Sequence, residues 1–191
     1  MKYRISIVLA SFVLLQCKDS AEKLFTSVPP DVTGITFTNA ITVGDSISVL
    51  DSEYLYNGGG VAVGDVNNDG LLDVYFSGNM ISSRLYLNKG NLKFEDITEK
   101  ANVGTTKWAN GVVMADVNQD GFKDIYVCVG GTKRTPEIDR ANLLFINNGD
   151  ATFTESAKQY GLADTGYGIH SVFFDYDRDG DLDMYLLRNS F

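Results

Sequence analysis

The chain has 191 residues, of which 44% are hydrophobic and 12% aromatic. That is the composition of about one globular domain, and it excludes a disordered or collagen-like polymer. Sixteen Lys and Arg against twenty-five Asp and Glu leave a formal charge of −9, so the basic footprint of a nucleic-acid binder is absent. The acidity serves either a solvated surface or a bound cation. Nineteen glycines and three prolines predict many tight turns between short elements. Two cysteines, Cys17 and Cys128, and one histidine, His170, are too few for a disulfide framework or a zinc site.

Lys2 and Arg4 precede an apolar run over 5–15 that only Ser6 and Ser11 interrupt. A membrane-spanning helix needs about 20 such residues; this run has the length of a signal-peptide core. It ends Leu14-Leu15-Gln16-Cys17, which resembles a bacterial lipobox, with Gln16 standing where a small residue is usual. The resemblance implies a lipoprotein signal peptide over 1–17 and acylation at Cys17. The chain is then exported and lipid-anchored to the outer membrane or cell surface of a bacterium. Lys18-Asp19 resembles the surface-export tag of some two-membrane bacteria. An ordinary signal peptide cut nearby and a buried N-terminal helix are the other readings. Residues 18–55 read as a tether and N-terminal strands. Pro29-Pro30 is expected to break any helix, and the β-branched runs 35–37 and 41–43 are strand candidates.

From residue 56 the chain repeats itself, and such self-similarity is the first thing to seek. Asp65-Val-Asn67-Asn-Asp69-Gly70-Leu71-Leu-Asp73 recurs as Asp116-Val-Asn118-Gln-Asp120-Gly121-Phe122-Lys-Asp124 and as Asp175-Tyr-Asp177-Arg-Asp179-Gly180-Asp181-Leu-Asp183. The copies start 51 and 59 residues apart. Flanking residues repeat as well: 85–90 matches 144–149, and Phe94 matches Phe153. The longer second period is absorbed around 133–142, which contains Pro136 and reads as a surface-loop insertion. Short β-branched and aromatic runs enter and leave each motif, favouring strands. Asn88-Lys89-Gly90 and Asn147-Asn148-Gly149 mark hairpin turns. Four short strands per period predict propeller blades: repeat 1 over 56–107, repeat 2 over 108–166 and a partial repeat 3 over 167–191.

The Asp motif places side-chain oxygens at positions 1, 3, 5 and 9, a glycine at position 6, and a backbone carbonyl at position 7. Ca²⁺ takes six to eight oxygens in a flexible shell, and this pattern supplies most of them. The candidate ligands are Asp65, Asn67, Asp69, Leu71 and Asp73 in the first loop. In the second they are Asp116, Asn118, Asp120, Phe122 and Asp124. In the third they are Asp175, Asp177, Asp179, Asp181 and Asp183. An EF-hand is excluded because position 12, a bidentate Glu there, is Phe76, Val127 and Leu186 here. Carboxylates packed this densely repel one another without a cation, and three Ca²⁺ would move the formal charge from −9 to −3. The competing reading is that Asp, Asn and Gly build only Asx-turns.

These motifs, over about 56–190, resemble the FG-GAP/VCBS repeats, the family of the calcium-binding blades of integrin α-chain propellers. The whole chain also resembles the N-terminal part of bacterial lipoproteins that pair such repeats with a C-terminal ASPIC/UnbV domain, though no such segment is present. The resemblance implies an all-β fold, a partial β-propeller of four-stranded blades with calcium-binding hairpin loops. Family propellers have about seven blades, so two and a half repeats imply a piece of a larger protein or a ring completed by partner chains.

The remaining candidates for chemistry are weak. His170 stands where the other repeats have Gly60 and Gly111, and the sequence gives it no partner and no pocket. Trp108 reads as core before sugar-stacking surface, and Cys128 as an inert buried thiol. Recurrent Tyr and Phe read as core between blades. The expected function is therefore non-catalytic: a calcium-binding cell-surface lipoprotein whose blades bind a protein or a glycan. The alternative is an accessory propeller part of a polysaccharide-degrading enzyme.

Overall fold

Among the described residues, ten short strands form three antiparallel sheets that follow the repeats along the chain. The structure, a computed structural model, describes residues 23–44, 47–48 and 54–190. The signal-peptide segment and Cys17 lie outside the described residues. The first sheet contains β1 (Val61–Gly64), β2 (Asp73–Phe76), β3 (Arg84–Asn88) and β4 (Phe94–Asp96), in that order. The second contains β5 (Ala109–Ala115), β6 (Asp124–Val129), β7 (Leu143–Asn147) and β8 (Phe153–Glu155). The third is the hairpin of β9 (Tyr167–Phe174) and β10 (Asp183–Asn189). Order within each four-stranded sheet equals chain order, so each connection joins antiparallel neighbours without a crossover, the longest being the 130–142 loop between β6 and β7. The fold is all-β, a partial propeller of blade-like sheets. The strands fall on the runs that flank the Asp motifs.

Period-2 alternation explains how the sheets stack. All six residues of β6 are buried, because both faces of the second sheet are covered. Ile125 and Val127 point into one cluster with Ala62, Tyr75, Leu85 and Val103. Tyr126 and Cys128 point into the other, packed by Phe173, Met184 and Leu186. Aromatics thus fill the space between sheets: Tyr75 and Tyr126 are buried, and each hydroxyl finds a carbonyl. Tyr75 donates to Val103 O at 2.8 Å and Tyr126 to Leu162 O at 2.9 Å. Burial pushes both phenols up. It also pushes the Cys128 thiol up to about 11, as an inert buried cysteine requires. The inner strands β1, β5 and β9 run side by side. A Cβ on Gly60 would stand 2.7 Å from Asn110 O, so only glycine permits that approach.

The N-terminal segment departs from expectation. Pro30 starts a single helical turn, α1 (Pro30–Thr33), instead of preventing one. It occupies the first helical position, where the missing N–H costs nothing. Gly34 closes the turn at φ 80. The runs 35–37 and 41–43 are not strands. Phe37 instead stacks on Phe76 of β2 with centroids 5.0 Å apart, and Asn39 donates to Asn79 Oδ1 at 2.6 Å while accepting from Asn79 N at 3.0 Å. The segment is held by side chains and has no ladder of its own in these runs. A second helical turn, α2 (Thr98–Ala101), follows β4. The insertion around 133–142 lies at the surface and carries an exposed 3₁₀ turn, Glu137–Arg140. Among the described residues no helix is long and apolar enough to cross a membrane.

Candidate metal centre

Each Asp motif forms the loop between the first two strands of its repeat, so the three loops lie at the same end of the inner strands. Two special backbone positions shape each loop. Position 4 is left-handed at Asn68, Gln119 and Arg178, and position 6 is the left-handed glycine, Gly70, Gly121 or Gly180. The glycine takes that conformation without strain, while the residue at position 4 carries a side chain through it.

The acidic side chains organise the loop around themselves. Asp65 accepts from Asp69 N at 3.2 Å and Gly70 N at 2.7 Å. Asp116 repeats this with Asp120 N at 3.0 Å and Gly121 N at 2.9 Å. Asp69, Asp120 and Asp179 each accept from the backbone two residues on, at Leu71, Phe122 and Asp181. Asn67 and Asn118 turn their amides onto Asp69 and Asp120. The bonds to Leu71, Phe122 and Asp181 are Asx-turn bonds, and those from N–H groups four and five residues on to Asp65 and Asp116 wrap the loop further, so these residues shape the loop backbone.

Position 9 has a role that the ligand pattern does not reveal. Asp73 and Asp124 are fully buried. Asp73 accepts from Val66 N at 2.9 Å and from Asn88 N at 2.8 Å. Asp124 accepts from Val117 N at 2.8 Å and Asn147 N at 2.9 Å. Each carboxylate therefore ties its loop to the third strand of its blade. Burial raises both pKa values; the backbone N–H groups offset part of this, and the neighbouring loop aspartates add to it. Asp181 is raised chiefly by its contact with Asp179.

The third loop differs. Asp183 keeps the bond from Tyr176 N at 2.8 Å. Its carboxylate also converges with those of Asp175 and Asp177, one oxygen from each lying within 4.8 Å of the others. The three loops are joined in series by hydrogen bonds between neighbours. Asn68 donates to Gly121 O at 3.1 Å, and Gln119 to Gly180 O at 2.7 Å. Asn147 of the second blade likewise reaches back to Val66 O at 2.8 Å. The sequence shows these residues as motif spacers and turn formers; that they link neighbouring repeats needs the three-dimensional stack. Trp108 and His170 lie elsewhere, at the other end of the inner strands.

All the donors in these loops are oxygens, the choice of a hard cation. Fold and loop together define a repeat protein of propeller blades, each with an acidic loop between its first two strands. The FG-GAP-like repeat model matches residues 65–127 and 134–186, and the chain belongs to that family. Among curated proteins, cartilage acidic protein 1 of Xenopus tropicalis is 29% identical over 158 residues. The match takes in 81% of this chain and 23% of that protein, so the chain spans about a quarter of its relative.

Proposed function

We propose that this chain is a non-catalytic, calcium-binding lipoprotein, anchored through Cys17 to the outer membrane or cell surface of a bacterium. Its blades bind a protein or a glycan. The observation that carries the reading is the third loop, where Asp175, Asp177 and Asp183 converge within 4.8 Å. The same motif recurs in the two loops bonded to it in series. Ca²⁺ would be held by the carboxylates and by Asn67 and Asn118, with the carbonyls of Leu71, Phe122 and Asp181 and water completing the shell. Bound there, the ion would neutralise the loop charge and stiffen the end of each blade.

Family membership supports an adhesion-like role, and the Xenopus relative is by name an acidic protein of cartilage, as this chain is acidic. Further blades, from a longer chain or a partner, would complete the propeller, and the exposed side chains of the third hairpin favour this. Tyr185 is 63% exposed where its counterparts Tyr75 and Tyr126 are buried, and Val172, Phe174 and Leu187 are exposed beside it. The lipobox and the ASPIC/UnbV relationship belong to the same reading. The test is binding of the full chain to immobilised matrix proteins and to a glycan panel, in calcium and in chelator. Calcium-dependent capture by either supports the proposal. No capture by a folded, calcium-loaded protein contradicts the binding role. Labelling with radioactive palmitate, lost in Cys17→Ser, tests the anchor.

A further inference from the structure

The end of the inner strands opposite the aspartate loops borders a half-open cavity of about 620 Å³. It opens where β1, β5 and β9 begin, at Gly60, Gly111 and His170. These are equivalent positions of the three repeats. The two glycines let the strands close up: a Cβ on Gly111 would stand 2.6 Å from His170 Nδ1. Only the third repeat places a side chain there.

The lining is aromatic and amide-rich. Tyr54, Trp108 and Tyr167 supply rings, and Asn57 and Asn189 supply amides. Arg140 stacks on Tyr167 at 4.4 Å from the ring centroid, which fixes that ring. The floor is rigid, because Asn110 donates to Gly168 O at 2.7 Å and accepts from Asn79 at 3.4 Å. Among the described residues, none hydrogen-bonds the side chains of Asn57, Trp108 or His170. Those groups are available to a ligand.

We infer that this cavity is a binding site for a neutral oligosaccharide. This rests on the binding role proposed above and assigns it a place and a ligand class. The volume lies in the range of small-molecule sites, roughly 300–1,000 Å³. No lysine, arginine or carboxylate lines the cavity among the described residues, so an ionic ligand finds no fixed counter-charge. Trp and Tyr join a broad apolar face to a polar edge, which suits the C–H face of a pyranose. The amides and the imidazole suit its hydroxyls. A peptide with charged ends would lose hydration here without compensation.

The chain contains one tryptophan, so its emission reports directly on the cavity. The full chain, in calcium and a sugar-free detergent, is titrated with cellobiose, chitobiose, lactose and maltose. A saturable change in emission with at least one sugar is expected. Calorimetry with that sugar should show a loss of about tenfold in affinity in Trp108→Ala. His170→Ala, which removes the imidazole at an exposed strand position, should weaken binding less and lower the melting midpoint only slightly. No saturable change with any sugar overturns the assignment, as does affinity unchanged in both variants. Immobilised fibronectin and gelatin are tested in parallel. If they bind and the sugars do not, the saccharide assignment falls and the broader binding role stands. If neither binds, both fall.

Discussion

The second sheet and the third hairpin carry the same motif in different surroundings. In the second, Tyr126 is buried and bonded, and Asp124 is buried with two backbone N–H groups on its carboxylate. In the third, the equivalent Tyr185 is 63% exposed, and Asp183 has one such bond and two aspartates for company. The motif residues are therefore not intrinsically core or surface. The third strand and the neighbouring sheet decide, by supplying the second N–H and the apolar cover.

That contrast is breakable by substitution. Tyr126→Ala should cost about 3–5 kcal/mol, the range for emptying a large aromatic site. Tyr185→Ala should stay within about 0.5 kcal/mol, as exposed positions do. Urea unfolding of the two variants checks this, and equal costs would mean that Tyr185 is covered in solution. Next in size is position 9. Asp124→Ala strands two buried N–H groups, each costing about 1–3 kcal/mol. Asp183→Ala strands one that is more exposed and should cost less under chelator.

The pH response sharpens the comparison further. Asp73 and Asp124 have folded pKa values raised above the unfolded value, so the native state holds more protons between the two. In chelator their contribution to stability therefore falls as pH rises through that window and recovers as pH drops toward the ordinary carboxylate range. Calcium binding requires the charged form, so the calcium increment in melting temperature should shrink as pH drops over the same window. A calcium increment independent of pH would contradict carboxylate ligation. A modest effect is expected from the links between loops. Asn68→Ala and Gln119→Ala each remove one exposed hydrogen bond, about 0.5–1.5 kcal/mol. They should reduce the steepness of a calcium titration more than its midpoint.

Much of this was legible in the chain. The three loops, the strands beside them, the Asn-Gly hairpins and the insertion near Pro136 all follow from residue type and spacing, because each is a local preference repeated. What was hidden depends on contacts between distant segments. Residues 35–37 have strand composition, yet Phe37 packs on Phe76 by its ring, and side-chain docking leaves no mark in periodicity. Pro30 looked like a breaker because only its position in the first helical turn makes it harmless. Asp73 and Asp124 matched a ligand pattern that says nothing of burial beneath a third strand. The cavity was invisible for the same reason. Trp108 and His170 are 62 residues apart, and only the closing-up of β5 and β9 at Gly111 brings their surroundings together.

The most direct measurement is thermal unfolding of the full chain in millimolar calcium and in excess chelator. A site held at 100 times its dissociation constant adds about 2.7 kcal/mol, so three loops should raise the midpoint clearly. Asp120→Ala combined with Asp179→Ala should remove most of that rise. The same midpoint in calcium and chelator, from a protein that unfolds cooperatively in both, would contradict the metal assignment and leave the loops as Asx-turn hairpins.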